Sequence, residues 1–308
     1  MSKQLRGGLY LALAALIWGM AFSAQSEGAS HMQPFSFTAV RSLITFATLG
    51  LFALVGRRGA RSESGSPGVR SYIKIGVPLG VIMFIATALQ QVGLSLDPSA
   101  AKSGFITALY IVIVPLLGLI VYRRRVAPLV WAGVALSLVG LALLCLKEDF
   151  SVGYADLVTL SCAAMFAVHI VAVDRFAAGL SAPRLCCVQF GVAGALSLVV
   201  ALFTETLRLS DILACWPSLL YVGVCSGALG YSFQIAGQRY TEPTLASLIL
   251  CLESVFAAVG GWLLLGQTLS AREVAGCAVM LLACVLAQLP ENRRELRHAP
   301  HKDAHTAC

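Results

Sequence analysis

The sequence has little charge, and it has no long polar stretch before its last residues. Only 12% of its 308 residues are charged, and the acidic residues number 15 against 22 basic ones. Hydrophobic residues make up 58%, and the mean hydropathy is +0.83. That apolar surface cannot all be hidden inside a water-soluble globule of this length, so the solvent must be lipid. No sequence remains for a soluble catalytic or nucleotide-binding domain.

Several chemical motifs are missing as well. There is no G-x-x-x-x-G-K-[S/T] phosphate loop, which argues against direct nucleotide drive. There is no C-x-x-C pair and no Cys/His cluster with metal-ligand spacing. An intramembrane enzyme needs a nucleophile with a base, paired acids or a metal, whereas the membrane interior here offers one Glu, one Arg and one His in separate helices. We therefore expect no enzyme, no catalytic residue, no cofactor and no metal, and an intramembrane enzyme is the least favoured alternative.

What the sequence does have is long apolar segments. About 20 consecutive apolar residues suffice to cross a bilayer as a helix. Ten such segments occur, at 7–25, 35–55, 72–94, 100–121, 127–146, 154–173, 184–204, 214–236, 243–265 and 271–289. The prediction is an all-α polytopic membrane protein with ten transmembrane helices, embedded in a lipid bilayer.

The two halves of the chain are weakly similar. At a constant spacing of 143 residues, one block of four residues recurs in segments five and ten and a block of three recurs in segments three and eight. The matches are Ala132, Gly133, Ala135 and Leu138 with Ala275, Gly276, Ala278 and Leu281, and Gly80, Val81 and Gln91 with Gly223, Val224 and Gln234. Five segments per half would turn the second copy upside down in the bilayer, an arrangement that recurs in secondary transporters.

The distribution of Lys and Arg predicts the orientation. With a cytoplasmic N-terminus, the inside loops hold 17 of these residues and the outside loops hold 4. Both termini are therefore expected to be cytoplasmic. The net charge of +7 is then a topology signal, and we expect no nucleic-acid partner. We divide the chain into a first repeat at 1–148, a second repeat at 149–289 and a cytoplasmic tail at 290–308 that we expect to be disordered.

Arg41 lies in the second apolar segment. A charged side chain at the bilayer centre costs about 2.5 to 3.5 kcal/mol on insertion scales, so it needs a partner, a cavity or a function. Thr38, Thr45 and Thr48 share the helical spacing of Arg41 and form one polar stripe with it. The stripe is predicted to face the bundle interior. Arg41 either contacts the substrate or binds backbone carbonyls near the outer face.

The second charged residue within an apolar segment is Glu253, in the ninth segment. A carboxylate in mid-helix is a natural proton acceptor or cation binder, and it is the candidate for proton coupling. The alternative is a hydrogen-bonded carboxyl group that only clamps two helices together. His169, in segment six, could shuttle protons or pair with Glu253, although a lone His in such a helix is more often a packed side chain.

Uncharged polar side chains occupy corresponding places in the two halves. Gln90 and Gln91 lie in segment three, Tyr231 and Gln234 lie in the corresponding part of segment eight, and segment four adds Tyr110. Amides, hydroxyls and aromatic rings suit an organic solute of mixed polarity better than a bare ion. Each of these residues could instead serve only to pack helices.

Several short stretches resemble the EamA-type branch of the drug/metabolite transporter superfamily, and the resemblance covers about residues 8–289. In the first half they are Ile17-Trp18-Gly19, Arg41, and Ser103-Gly104-Phe105-Ile106-Thr107-Ala108-Leu109-Tyr110 leading to Val114-Pro115-Leu116. In the second half they are Leu252-Glu253-Ser254-Val255-Phe256-Ala257-Ala258 and Trp262-Leu263-Leu264-Leu265-Gly266-Gln267. Two positions depart from the family pattern: Ser254 stands where a proline is usual, and Gln267 where an acidic residue is usual.

The resemblance implies ten helices in two inverted five-helix repeats around a central cavity. It also implies transport of small metabolites or drugs, often outward. The expected function is a secondary transporter working by alternating access in the inner membrane of a bacterium, with a small-molecule substrate and a possible homodimer. A channel or a non-transporting membrane receptor is the main alternative. The predicted substrate-binding residues are Trp18, Arg41, Gln90, Gln91, Tyr110, His169, Tyr231, Gln234 and Glu253.

Overall fold

The computed structural model describes residues 3–57, 67–123, 126–145, 153–265 and 269–288, and all regular structure within these ranges is helical. The helices are α1 (Lys3–His31), α2 (Pro34–Arg57), α3 (Val69–Leu96), α4 (Ala100–Ala108), α5 (Tyr110–Tyr122), α6 (Pro128–Cys145), α7 (Tyr154–Phe176), α8 (Ala182–Thr204), α9 (Leu209–Ala214), α10 (Trp216–Leu220), a π-helix (Tyr221–Gly230), α11 (Tyr231–Gln238), α12 (Pro243–Leu250), α13 (Glu253–Leu265) and α14 (Ala271–Gln288). The all-α prediction is confirmed. The tail at 290–308 lies outside the described residues.

Seven stretches of the described chain are long and apolar enough to cross a membrane. They are Gln4–His31, Pro34–Ala53, Val69–Leu96, Lys102–Tyr122, Tyr154–Phe176, Ala182–Thr204 and Trp216–Gln238. Shorter apolar helices at Pro128–Leu144 and Pro243–Val259 coincide with predicted segments five and nine, and α14 coincides with segment ten. The count of ten membrane-spanning helices stays a prediction.

Segments four and nine are each broken near the middle. In segment four, α4 ends at Ala108 and α5 begins at Tyr110, and the Leu109 amide bonds to Ile106 O at 3.2 Å. In segment nine, the Leu252 amide bonds to Ile249 O at 3.1 Å. These tighter i to i−3 bonds interrupt the α-helical ladder at both points. Pro115 does not mark the first break, because it lies within α5, six residues further on.

Segment eight contains a π-helix of ten residues, which the sequence pattern did not predict. Its three glycines, Gly223, Gly227 and Gly230, lower the preference for a regular α-helix. Side chains of other helices bond its backbone oxygens: Thr45 Oγ1 donates to Gly223 O at 2.7 Å, and Trp18 Nε1 donates to Ser226 O at 3.2 Å. The neighbouring helices thus stabilise a backbone that is rare elsewhere and common at functional sites.

Small residues allow the helices to pack closely. A Cβ atom placed on Gly140 of α6 would lie 2.8 Å from Gly276 O of α14, and one placed on Gly276 would lie 2.7 Å from Gly140 O. Neither glycine tolerates a side chain without movement of the other helix. This backbone approach is the way apolar helices gain contact in lipid, where burial of apolar surface gives no advantage.

Candidate functional site

A cavity lies at the centre of the helix bundle, and side chains from both halves of the chain line it. Its walls are Trp18, Ala21, Phe22, Gln25, Arg41, Thr45, Thr87, Gln90, Thr107, Tyr110, Phe166, Ile170, Phe190, Val222, Ser226, Gly227, Tyr231, Gln234 and Glu253. Its volume is about 50 Å³, which is space for several water molecules.

Arg41 is held on the cavity wall by uncharged partners. Its Nη1 donates to Gln25 Oε1 at 2.6 Å, and its Nη2 donates to Thr87 O at 3.4 Å. The guanidinium carbon lies 5.9 Å from the centre of the Phe37 ring. Arg41 is only 7% exposed, and no acidic side chain lies within ion-pair distance of it in the described ranges. A guanidinium group has five N–H donors, so these two bonds leave capacity for an anion.

Glu253 faces the same cavity as the first residue of α13, immediately after the break in segment nine. It is 4% exposed. The Tyr110 hydroxyl donates to Glu253 Oε1 at 3.5 Å, which is long for a hydrogen bond. An ionised carboxylate accepts about four hydrogen bonds, so this contact leaves most of its capacity for a proton or a cation. No cation pairs with Glu253 in the part of the chain that the structure describes.

Aromatic rings form one wall between the helices. The ring centres of Trp18 and Tyr231 lie 4.7 Å apart with a tilt of 55°. Phe190 meets Tyr231 edge to face at 5.1 Å. Tilted and edge-to-face pairs of this kind hold rings in fixed orientations. They give the cavity a rigid apolar surface that suits the body of an organic solute.

Seven of the nine predicted binding residues line this cavity: Trp18, Arg41, Gln90, Tyr110, Tyr231, Gln234 and Glu253. The other two, Gln91 and His169, lie behind its walls. Gln91 Nε2 donates to the backbone oxygen of Gln25 at 3.1 Å. His169 Nε2 lies 2.9 Å from Gln189 Oε1, and its ring packs edge-on to Tyr231 at 6.3 Å. The predicted pairing of His169 with Glu253 does not occur.

Sequence reasoning missed Gln25, the closest partner of Arg41. Gln25 lies seven residues after Trp18 on α1, and Phe22 lies between them at the same helical spacing. This spacing was the available signal, because all three side chains lie on one face of the helix. Phe166 and Phe190 were also missed, since nothing in the sequence distinguishes a cavity-lining Phe from one in the core.

The described residues contain no group of three or more His, Cys, Asp or Glu that could hold a metal ion. The cavity instead combines one cationic group, one acidic group, three amides and several aromatic rings. Such a set can bind an organic solute by charge, hydrogen bonding and ring contact. It lacks the juxtaposed nucleophile and base that bond cleavage needs.

Comparisons with known proteins concern the whole chain and its family. A family model described as the EamA-like transporter family matches residues 5–146 and, separately, residues 153–289. A relative from Archaeoglobus fulgidus named "uncharacterized transporter" is 29% identical over 289 residues, covering 93% of this chain and 87% of that protein. A solved structure described only as a protein crystal structure aligns with a TM-score of 0.72 and 21% identity, over 92% of this chain and 96% of the other. At that identity the likeness concerns the fold alone.

Proposed function

Because the chain belongs to the EamA-like transporter family, and is thus an integral membrane transporter and not an enzyme, we propose that it is a secondary carrier of small organic solutes that works by alternating access. The observation that carries the proposal is the central cavity, to which one half of the chain contributes Arg41 and the other contributes Glu253. The outward direction follows from the family resemblance noted in the sequence.

We further propose that ten membrane-spanning helices form two inverted five-helix repeats. In support, one close contact between the halves occurs twice with their roles exchanged: a glycine of one half lies against a buried polar residue of the other half and the β-branched residue three positions after it. The contacts are Gly80 with Gln189 and Val192, and Gly223 with Arg41 and Ile44. Two related bundles are expected to repeat their helix contacts as well as their sequence.

The two helix breaks support the same arrangement. The amide bonds of Leu109 to Ile106 and of Leu252 to Ile249 are related by the 143-residue spacing of the sequence repeat. Both breaks border the cavity, through Tyr110 and Glu253. Discontinuous helices near the membrane centre, one from each repeat, are a common way to build a transporter binding site.

Alternating access requires contacts between the halves that can open on each side in turn. On the proposed outer side, Lys102 Nζ lies 2.9 Å from Asp156 Oδ1. On the proposed inner side, Tyr122 Oη of the first half donates to Val171 O of the second half at 3.3 Å. We place both termini in the cytoplasm and the protein in a bacterial inner membrane.

A counterflow assay tests the proposal. Purified protein in liposomes is loaded with an unlabelled amino acid, nucleoside or cationic drug, and uptake of the labelled compound is followed. A carrier shows saturable uptake that the internal solute accelerates, whereas a channel shows unsaturable conductance and a receptor shows no flux. Absence of counterflow for every compound of the screen would count against the carrier.

Glu253 is the proposed coupling group. Flux of the identified solute is measured under an imposed pH gradient for wild type and Glu253→Gln, which cannot ionise. Glu242→Gln is the matched control, because Glu242 is exposed at the start of α12 and its side chain makes no capping bond. We expect the control to respond to the gradient as wild type does and Glu253→Gln to lose the response. Equal responses of wild type, Glu242→Gln and Glu253→Gln to the gradient would contradict a role of Glu253 in proton coupling.

A further inference from the structure

The two charges of the cavity lie at different depths along α1. Arg41 bonds to Gln25, whereas the backbone at Glu253 packs against Gly19: a Cβ atom placed on Gly19 would lie 2.6 Å from Glu253 O. These α1 positions are six residues apart, which is about 9 Å along the helix axis at 1.5 Å per residue. Arg41 and Glu253 also bond to different residues, so they do not form an ion pair with each other.

The Cα–Cβ bonds of the two residues also tilt in opposite directions. A helical side chain tilts toward the N-terminus of its own helix. Gly7 of α1 packs on Thr241, and Gly19 of α1 packs on Glu253. Segment nine therefore runs parallel to α1. The Cα–Cβ bond of Glu253 then tilts away from the α1 position of Gln25. Helix α2 runs back along α1 after a short turn, with Phe37 against Gly28, so its side chains tilt toward the far end of α1. This geometry keeps the two charged groups apart.

Helix α1 contributes apolar side chains to the cavity between these two levels. They are Ala21 and Phe22, which lie between the positions of Gly19 and Gln25. Phe166 and Phe190 from the second half of the chain also line the cavity. These side chains favour a solute with an apolar body between its charged groups.

We propose that the transported solute is a zwitterion whose anionic and cationic groups lie at opposite ends of an apolar body, with the anionic group bound by Arg41 and the cationic group by Glu253. This inference rests on the proposed carrier function and narrows its substrate class. A zwitterion with both charges on one carbon could satisfy only one of the two residues. A singly charged solute would leave the other residue buried without its counter-ion, which is costly.

Two isomers test the charge separation directly. ε-Aminocaproate carries its ammonium and carboxylate at the two ends of an alkyl chain, and norleucine carries the same groups on one carbon. Calorimetric titration of the full-length protein in detergent micelles compares them with caproate and hexylamine, which have one charge each. γ-Aminobutyrate and ω-aminocaprylate vary the separation. We expect the best of the three end-to-end zwitterions to bind at least tenfold more tightly than norleucine, caproate or hexylamine.

Two variants test which residue binds each charged end of the solute. Arg41→Gln and Glu253→Gln should each weaken the best zwitterion about tenfold or more, as expected when a hydrogen bond to a charged group is lost. Arg41→Gln should weaken caproate binding and not hexylamine binding, and Glu253→Gln should weaken hexylamine binding and not caproate binding. The matched controls are Arg239→Gln and Glu242→Gln, since both residues are exposed. Gel filtration checks folding, and if the cavity variants do not fold, the comparison of probes on wild type decides.

Equal or tighter binding of norleucine, or of either singly charged probe, overturns the inference. So does the absence of binding by all three end-to-end zwitterions. The carrier proposal is judged separately by counterflow: saturable exchange of any other solute would keep the carrier and reject only the zwitterion. Loss of counterflow for every compound would instead reject the carrier itself.

Discussion

Tyr110 and Glu253 are the first residues after the two helix breaks, and the Tyr110 hydroxyl lies 3.5 Å from Glu253 Oε1. Tyr110 belongs to the first half of the chain and Glu253 to the second. The two halves therefore meet at the cavity with different chemistry, a phenol from one and a carboxylate from the other.

The first prediction concerns this pair. If the Tyr110 hydroxyl acts by orienting the carboxylate, Tyr110→Phe should weaken solute binding several-fold in wild type and have almost no effect in Glu253→Gln. Residues that act as a unit give non-additive effects, typically 0.5–3 kcal/mol in such cycles. Calorimetric affinities of the four proteins for the solute found by counterflow measure this coupling. Additive losses would mean that the two side chains contact the solute independently.

The second prediction uses the close glycine contacts. Gly80→Ala and Gly223→Ala each place a methyl group within 3 Å of atoms of the facing helix. Overpacking of this kind costs about 1–3 kcal/mol. Both variants should therefore unfold at a lower temperature in detergent. Gly118→Ala is the control, because no atom lies within 4 Å of the added methyl group, and it should be neutral or slightly stabilising.

The third prediction concerns the contact between Lys102 and Asp156. Asp156 is only 6% exposed, so removing the ammonium group leaves a buried carboxylate with less compensation. Lys102→Met should destabilise the protein by about 1–3 kcal/mol. Lys74→Met, at an exposed position of α3, should not. Adding Asp156→Asn to Lys102→Met should recover part of the loss, and no recovery would mean that Lys102 acts through other contacts.

Tryptophan fluorescence provides a fourth test. Trp18 lies on the cavity wall and contacts Tyr231, whereas Trp216 is 56% exposed. A solute that enters the cavity should change the emission of Trp18 by altering its surroundings. We expect Trp18→Phe to lose the binding-induced change and Trp216→Phe to keep it. A change that persists in Trp18→Phe would place the bound solute elsewhere.

The charged residues of the site could be predicted because an ionised side chain in lipid has a high free-energy cost and is therefore rare in an apolar segment. Arg41 and Glu253 were identified by this argument alone. Gln91 and His169 showed its limit: the sequence gives the helix of a polar residue but not which neighbour its side chain will bond. Gln25 was missed for the same reason, since its role depends on the packing of α2 against α1.

The helix breaks and the π-helix could not be predicted from apolar segments alone. Segments four and nine are each one continuous apolar run. Hydrophobic periodicity does not show where the backbone hydrogen bonds change from the i to i−4 pattern to the i to i−3 pattern. The π-helix depends on donors from other helices, Thr45 and Trp18, which bond its backbone oxygens. These features arise from tertiary packing, so they appear only once the helices are assembled.

The last prediction concerns Ser254, which stands where the family pattern usually has proline. Ser254 is the second residue of α13, and its amide makes one weak bond, to Cys251 O at 3.3 Å. Proline is tolerated in the first turn of a helix, where amides lack partners within the helix. Ser254→Pro should therefore fold and keep its stability to within about 1 kcal/mol. Ala257→Pro, one turn further on, removes a regular helix bond and should cost about 3 kcal/mol or more. Thermal unfolding of the two variants makes the comparison, and equal damage from both would contradict a helix that restarts at Glu253.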